Sequence, residues 1–331
     1  MRYYNIPVFV PHKGCPNDCS FCNQKRITGR QEEQKIEDIQ GEIERYLLTL
    51  EKDRHVEIAF FGGSFTVIET ERQFELLSMA KEFVVSGKVD GIRLSTRPDY
   101  IDKTILDYLK YYGVTAIELG VQSMDGRVLE KNNRGHSVSQ VTEAAELIKS
   151  YGVFSLGLQQ MLGLYGADEK SDIESAEKIA KLSPETVRIY PTIVLEGTRL
   201  SDLYNAGKYV PYTLEQAVEV GSRAYEIYTR AAVKVIRMGL QSTETINEKG
   251  NICGPVHSSY GELVKARCIR REIEGLITGY SGDIVIKVNP SYVSKVVGNR
   301  RENVNYFLEK GINLKVLTDN QVGKYELVTK G

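Results

Sequence analysis

Three cysteines fall within the eight residues Cys15-Pro16-Asn17-Asp18-Cys19-Ser20-Phe21-Cys22, directly after the short apolar run 6–11. Such a run is typical of a β-strand, so we expect the cysteines on the loop that leaves its C-terminal end. A loop can turn three thiolates toward one centre, which neither a strand nor a regular helix can do. Three sulfurs leave a tetrahedral metal site incomplete, whereas in a [4Fe–4S] cluster they can hold three irons and leave the fourth open for chemistry.

Two structural explanations compete with a cluster. A closed zinc site needs four ligands and usually combines two Cys-x-x-Cys pairs. The other cysteines of the chain, Cys253 and Cys268, stand alone and far downstream. The second explanation is the chance proximity of buried cysteines. The spacing favours a cluster over both, and zinc stays open as an alternative.

The composition indicates an ordinary folded protein. Of the 331 residues, 41% are apolar and 26% are charged, which argues against disorder. The net charge of −1 provides no overall basic field that would attract nucleic acid. The polar N-terminus predicts no signal peptide, and no apolar run reaches the ~20 residues of a membrane span. An odd number of cysteines, three of them clustered, suggests a reducing compartment, so we expect a cytoplasmic protein.

Strand-like and helix-like segments alternate along the first ~230 residues, as about six βα units. Apolar strands between helices indicate a parallel α/β sheet with its outer face covered. Six units suit a partial (β/α)6 barrel of the TIM type better than a complete barrel of eight. After it we expect a strand at 284–288, a helix from Pro290 to Leu308, and strands at 312–317 and 325–328. We therefore predict a barrel domain with its extension, 1–270, and a small C-terminal α+β unit of β-α-β-β type, 271–331.

The expected strand ends carry polar residues or glycines. In a parallel barrel the functional residues lie at the C-terminal ends of the strands. The polar or glycine residues found at those ends are 15–22, 62–65, 95–97, 118–122, 159–160 and 190. The sequence therefore predicts one functional site along this edge of the sheet.

The spacing C-x3-C-x2-C, with an aromatic residue before the third cysteine, resembles the radical S-adenosylmethionine (SAM) superfamily. In that superfamily a [4Fe–4S] cluster binds the methionine part of SAM and cleaves SAM reductively to methionine and a 5′-deoxyadenosyl radical. The radical then abstracts hydrogen from a substrate. The resemblance implies that Cys15, Cys19 and Cys22 hold the cluster and that Phe21 packs near the adenine. It also implies an electron donor of the flavodoxin or ferredoxin type.

The glycine pair Gly62-Gly63 follows an apolar strand one βα unit after the cysteines. By itself such a pair indicates either a tight turn or a close approach to a ligand. The resemblance implies the second, with Gly62, Gly63 and Ser64 near the amino group of SAM. Gln122 ends the fourth strand, and Arg134 follows twelve residues later. Arginines are usually surface charges, but a planar guanidinium also suits a carboxylate such as that of SAM.

A narrower resemblance links this chain to the radical-SAM half of the Elongator catalytic subunit, in the same order from roughly residue 5 to 270. The stretches that carry it are 62–66, 96–100, 118–123, 133–136, 189–192, 196–198 and 207–213. Oxygen-independent coproporphyrinogen oxidases are more distantly similar and share the Gly-Val-Gln motif and the arginine after it. The Elongator subunit also has an acetyltransferase domain. Only about 60 residues follow the matching region here, so we do not extend the expectation to a reaction with acetyl-CoA.

The sequence departs from these relatives near the site. The Elongator subunit spaces its first two cysteines more widely. Ser95 stands where both relatives have a glutamate near SAM, and Gln159 stands where the coproporphyrinogen oxidases have an aspartate that meets the ribose. Serine is too short to replace glutamate directly, whereas a glutamine amide can still bond a hydroxyl without the charge. Both remain expected SAM contacts whose arrangement is open.

The C-terminal unit carries a weak RNA-binding signal. The stretch 297–304 resembles the backbone-clamping loop of KH modules, with Arg301 in place of the second glycine. The basic group around it consists of Lys287, Lys295, Arg300 and Arg301. A solvated helix face is the simpler explanation of these charges. Cys253 and Cys268 are expected to be small buried residues.

These observations favour a radical SAM enzyme acting on RNA, with tRNA as the class implied by the Elongator resemblance. One alternative is a radical SAM enzyme acting on a small molecule such as a tetrapyrrole. An alternative of another class is a zinc-stabilised binding module without catalysis. The catalytic residues and the oligomeric state do not follow from the sequence.

Overall fold

The computed structural model describes residues 2–10, 19–22, 34–51, 53–240 and 252–328. Seven parallel strands form its main sheet. They are β1 (Arg2–Val10), β2 (Arg54–Gly62), β3 (Gly91–Thr96), β4 (Val114–Gln122), β5 (Ser155–Leu162), β6 (Thr186–Pro191) and, after the short strand β7 (Val194–Leu195), β8 (Lys234–Met238). The sheet order is β1-β2-β3-β4-β5-β6-β8, so its strands follow one another in chain order and only β7 is left out. The sheet curls into an open barrel.

The outer face of this sheet is covered by six of the helices named next. In chain order the helices are α1 (Ile36–Thr49), α2 (Thr70–Val85), α3 (Lys103–Tyr111), α4 (Gly126–Lys131), α5 (Val138–Ser150), α6 (Glu169–Lys181), α7 (Arg199–Asn205), α8 (Leu214–Arg230) and, after strand β9 (Ile252–Cys253), α9 (Tyr260–Leu276). The six that cover the sheet are α1, α2, α3, α5, α6 and α8. Alternate strand residues such as Ile58 and Leu94 are fully buried against helix residues such as Ile43 and Leu77. Within the described parts of the chain, every helix is too short or too polar to span a bilayer.

The predicted fold class, a partial α/β barrel with a small C-terminal unit, is confirmed. Two details differ from expectation. The sheet has a seventh parallel strand, β8, which pairs with β6. The predicted sixth strand, 187–195, ends at Pro191, and residues 194–195 form β7, which pairs antiparallel with β9. The polypeptide therefore leaves the main sheet after Pro191, at the C-terminal end of β6, which belongs to the edge where the site is expected.

The C-terminal unit contains one more helix than predicted. Its elements are β10 (Gly282–Val288), α10 (Val293–Val297), α11 (Glu302–Glu309), β11 (Ile312–Thr318) and β12 (Tyr325–Val328), with sheet order β11-β10-β12. The single helix predicted from Pro290 to Leu308 is wrong because Gly298 has a φ of 79°, which breaks the helix. A Cβ there would lie 2.9 Å from the backbone nitrogen of Asn303, so the turn depends on glycine. The predicted domain boundary at 270/271 falls inside α9 and remains a prediction.

A buried carboxyl group ties α6 to the end of β5. Asp172 on α6 is 1% exposed, and its Oδ2 accepts hydrogen bonds from the Gly163 nitrogen (2.8 Å) and the Tyr212 hydroxyl (3.0 Å). Burial raises the pKa of this carboxyl from 3.8 to about 7, although the two hydrogen bonds lower it. Because the folded protein holds this proton more tightly than the unfolded chain, the contribution of Asp172 to stability falls as the pH rises from about 4 to 7.

We predict that Asp172→Asn removes this pH dependence. An amide does not ionise, so the unfolding free energy of the variant minus that of the parent should rise with pH between about 4 and 7. The slope should reach at most about 1.4 kcal/mol per pH unit, the value for one proton, and the difference should be constant above pH 7. Urea unfolding of the metal-free protein across this range measures it. A difference that does not change with pH would contradict the prediction.

Candidate active site

The cysteine loop lies against the segment that follows α4. Of the three predicted cluster ligands, Cys19 and Cys22 are described, and the backbone nitrogen of Cys22 donates to the Cys19 carbonyl (3.0 Å). Cys15 lies outside the described residues. Between the two described cysteines, Ser20 is fully buried. Its nitrogen donates to the Asn132 carbonyl (3.0 Å) and its hydroxyl to Asn132 Oδ1 (2.6 Å). The loop is therefore fixed by a residue more than a hundred positions away.

The structure brings Arg134, a predicted SAM contact, to the cysteine loop. Its Nη1 donates to the sulfur of Cys19 (3.1 Å) and its Nη2 to the Gly120 carbonyl (2.5 Å). The guanidinium also lies 5.9 Å from the centre of the Phe21 ring. Arg134 is 6% exposed, so it is a buried component of the site. Arg134 is therefore not a solvent-exposed surface charge, which was the alternative explanation.

Gln122 lies beside Arg134 at the end of β4. The pairing of β4 with β5 shifts its register between Leu119 and Gln122, and Gln122 has a φ of 70°, which non-glycine residues rarely adopt. A Cβ on Gly120 would lie 3.1 Å from Gln122 Nε2 and 3.4 Å from Arg134 Nη2. The two side chains thus converge over Gly120, and the absence of a side chain there leaves them room.

Two neighbouring residues hold this arrangement in place. Arg97 forms two hydrogen bonds to the carboxylate of Asp99 (2.9 and 2.7 Å) and donates to the Arg134 carbonyl (2.6 Å). Burial, assisted by the charge of Arg134, lowers the pKa of His136 to about 3, so its ring is neutral at ordinary pH. Its Nε2 then donates to the Val121 carbonyl (3.3 Å). Both contacts fix backbone next to Gln122 and Arg134.

The glycine pair at the end of β2 has a clear structural role. Gly62 has a φ of 109°, and a Cβ there would lie 2.1 Å from Cε2 of Phe9 and 2.8 Å from the Val10 carbonyl. The nitrogen of Gly63 donates to the same carbonyl (2.8 Å). These contacts join the ends of β1 and β2. Ser64, which is half-buried, follows at the start of a 3-10 turn.

Ser95 and Gln159 meet inside the barrel. Nε2 of Gln159 lies 3.5 Å from the Ser95 hydroxyl and donates to the carboxylate of Glu118 (3.2 Å). Arg188 forms two hydrogen bonds to the same carboxylate (2.6 and 2.9 Å), and Arg93 donates a third (3.2 Å). Beneath the two predicted contacts, the inner face of the sheet is therefore a layer of buried ion pairs that the sequence did not predict.

Phe21 packs into a small apolar cluster at the rim of the barrel. The buried members of this cluster are Val194, Leu200 and Tyr209, and Cys253 on β9 contacts it as well. Leu200 also donates its backbone nitrogen to the Ser20 carbonyl (2.7 Å). Cys268 is buried on α9, as expected, whereas Cys253 is only half-buried.

Sequence reasoning missed three residues that shape the site: Ser20, Asn132 and Arg97. Ser20 lies inside the quoted cysteine motif, and Arg97 lies at a strand end that was already identified as polar. Either position could have suggested a role. Asn132 had no comparable signal, because an asparagine after a short helix is an ordinary end of that helix.

Comparisons with known proteins identify the family of this chain. The model of the radical SAM superfamily matches residues 9–179, just over half of the chain, and the model of a radical SAM C-terminal domain matches residues 184–270. The tRNA uridine(34) acetyltransferase of Methanocaldococcus jannaschii is 27% identical over 320 residues, which cover 81% of this chain and 58% of the relative. Elongator complex protein 3 of Homo sapiens is 36% identical over 139 residues, 41% of this chain and 25% of that protein.

A solved structure supports the same relationship. The archaeal Elp3 of Methanocaldococcus infernus, with an N-terminal deletion, aligns with a TM-score of 0.65 and 25% identity. The alignment covers 83% of this chain and 63% of that one. This chain spans less than two thirds of the curated acetyltransferase it matches. The resemblance to the radical-SAM half of the Elongator catalytic subunit is confirmed, and the chain belongs to the radical SAM superfamily of enzymes.

Proposed function

We propose that this enzyme holds a [4Fe–4S] cluster through Cys15, Cys19 and Cys22 and binds SAM beside it, with Gln122 and Arg134 as the central contacts. When bound, the cluster supplies the electron that cleaves SAM reductively to methionine and a 5′-deoxyadenosyl radical. The residues of the chain bind and orient the cofactor and exclude water from it.

One observation carries this proposal. Among the described residues, Arg134 Nε and Gln122 Oε1 are buried without a hydrogen-bond partner. An unsatisfied buried polar group is costly unless a ligand completes it. The pair offers one charged donor and one acceptor on converging side chains, next to Cys19. The methionine part of SAM presents a carboxylate and an ammonium group, which require one donor and one acceptor, so the residues fit the cofactor.

The remaining predicted contacts have separate roles in this proposal. Phe21 would border the adenine side, and Gly62, Gly63 and Ser64 would line the opening next to β1. Ser95 and Gln159 would face the ribose, with the amide oxygen of Gln159 available because its nitrogen is directed at Glu118. The ion pairs around Glu118 give the barrel a rigid floor beneath the cofactor.

We further propose an RNA substrate, with tRNA as the first class to test. The support is the similarity to two archaeal tRNA uridine(34) acetyltransferases and the turn between α10 and α11. In that turn Arg300 and Arg301 are exposed and have φ values of 49° and 64°, so both depart from helical backbone. Lys287 and Lys295 pair with Asp319 (3.1 Å) and Glu262 (3.7 Å). The proposed phosphate contacts are therefore the two arginines.

We expect anaerobic reconstitution with iron and sulfide, followed by dithionite and SAM, to yield 5′-deoxyadenosine. Cys19→Ala should lower the yield at least a hundredfold because the cluster loses a ligand. Cys268→Ala, which removes a buried sulfur from α9, is the matched control and should retain the activity. Chromatographic product analysis with metal determination measures both. Zinc in place of iron in the parent protein would favour a binding module and overturn the proposal.

We expect Gly120→Ala to weaken SAM binding about tenfold, or ~1.4 kcal/mol. The added carbon would lie 3.1 Å from Gln122 Nε2 and 3.4 Å from Arg134 Nη2, so the Gln122 amide must shift by a few tenths of an ångström. Gly126→Ala on α4 is the matched control, since nothing lies within 4 Å of its added carbon. Isothermal titration of the reconstituted proteins with SAM gives both affinities. Equal affinities in the two variants would remove Gln122 and Arg134 from the proposed cofactor site.

The double variant Arg300→Ala/Arg301→Ala should bind unmodified tRNA more weakly than the parent. The slope of log K against log salt should become shallower by about 0.7 for each lost phosphate contact. Arg45→Ala/Arg127→Ala, with the same change of charge at two exposed sites of the barrel, is the control. Filter binding at several salt concentrations measures the slopes. If the parent does not bind tRNA at low salt, RNA is excluded as the substrate while the SAM chemistry stands.

A further inference from the structure

The contact between Arg134 and Cys19 involves a predicted cluster ligand directly. Nη1 of Arg134 donates to the Cys19 sulfur at 3.1 Å, within the range of a hydrogen bond to sulfur. The two residues are 6% and 7% exposed, so the contact is shielded from water. A charged donor in such surroundings acts more strongly than it would in solvent.

The position of this donor is fixed by further contacts. Nη2 of Arg134 donates to the Gly120 carbonyl (2.5 Å), and Arg97, held by Asp99, donates to the backbone carbonyl of Arg134 (2.6 Å). On the sulfur side, Asn132 and Leu200 hold Ser20, the neighbour of Cys19. Donor and sulfur are thus each fixed independently of the contact between them.

We propose that Arg134 sets the reduction potential of the cluster through this hydrogen bond to Cys19, in addition to its contact with SAM. The inference rests on the proposed function, because it requires Cys19 to be a cluster ligand. Reduction adds one electron from a one-electron donor, breaks no bond and transfers no proton to Arg134. The reduced cluster carries one more negative charge, so a fixed cation bonded to a ligand sulfur stabilises the reduced state. Hydrogen bonds to the sulfurs are one of the determinants of such potentials.

The two roles of Arg134 use different parts of its guanidinium. Nη1 and Nη2 contact protein atoms, whereas Nε is the buried nitrogen without a partner among the described residues. A ligand carboxylate can bond Nε while the contact to Cys19 remains. The same positive charge then contacts both SAM and a cluster ligand. Its electrostatic effect on the cluster is already present before SAM binds.

The test measures the midpoint potential of the reconstituted 331-residue chain in the absence of SAM, by redox titration followed with electron paramagnetic resonance. We expect Arg134→Gln to make reduction about tenfold less favourable, which is ~59 mV for a one-electron couple. Arg127→Gln, which removes an exposed charge bonded to Asp125, should leave the potential unchanged.

Each outcome decides between the claims. An unchanged potential in a fully loaded Arg134→Gln protein overturns this inference and leaves the proposed function intact. A parent protein that takes up no cluster overturns both. If the Arg134→Gln protein takes up no cluster, the hydrogen bond is tested on the parent protein alone. With arginine labelled in its guanidinium nitrogens with 15N, the reduced cluster should show a nitrogen coupling in pulsed resonance spectra, and its absence contradicts the hydrogen bond.

Discussion

The site depends on the contacts by which residues 132–134 hold residues 19–21 in place. Asn132 bonds Ser20 through both its backbone and its side chain, and Arg134 reaches Cys19 and the ring of Phe21. Within the described part of this loop, the Cys22 nitrogen donates to the Cys19 carbonyl. The contacts from Asn132 and Arg134 are added from a segment whose own position follows from β4 and α4.

The end of α4 explains how one segment can make both contacts. The Nδ2 of Asn132 donates to the carbonyls of Val128 (2.7 Å) and Tyr165 (2.9 Å), which leaves its Oδ1 directed at Ser20. The next residue, Asn133, has a φ of 54°, and Gly135 has a φ of 75°. Left-handed residues on both sides of Arg134 reverse the chain within a few positions. As a result Asn132 and Arg134 both contact the cysteine loop, although they are only two residues apart.

Much of the fold and part of the site could be predicted because they leave local patterns. The βα alternation indicated the partial barrel, and the motifs located Cys19, Gln122 and Arg134, which the structure brings together. The contact between Ser20 and Asn132 joins residues 112 positions apart, and a single polar pair at that separation produces no periodicity. The strand β8 was missed because it is short and only partly buried, so it lacks the apolar run by which the other strands were recognised.

The inner face of the barrel was misjudged for a different physical reason. The strands were read as apolar because their outward residues pack on helices, but the alternate residues point inward, and among them Glu57, Arg93, Glu118 and Arg188 form ion pairs. In a complete narrow barrel these positions would be filled by apolar side chains. In this open barrel they are charged, and buried charges are tolerated because each is paired.

Glycine makes this charged layer sterically feasible. A Cβ at Gly157 would lie 2.8 Å from Cγ of Glu118, so the absence of a side chain on β5 lets the glutamate lie across the strand and reach Arg188. Once Glu118 accepts bonds from Arg93, Arg188 and Gln159, breaking the layer would leave a buried charge unpaired, at a cost of roughly 3–5 kcal/mol. This layer of ion pairs is therefore stiff. Gln159 is bonded to it through Glu118 and lies beside Ser95, whereas Gln122 and Arg134 lie at the end of β4 next to the cysteine loop, so the proposed cofactor contacts are attached to a fixed base.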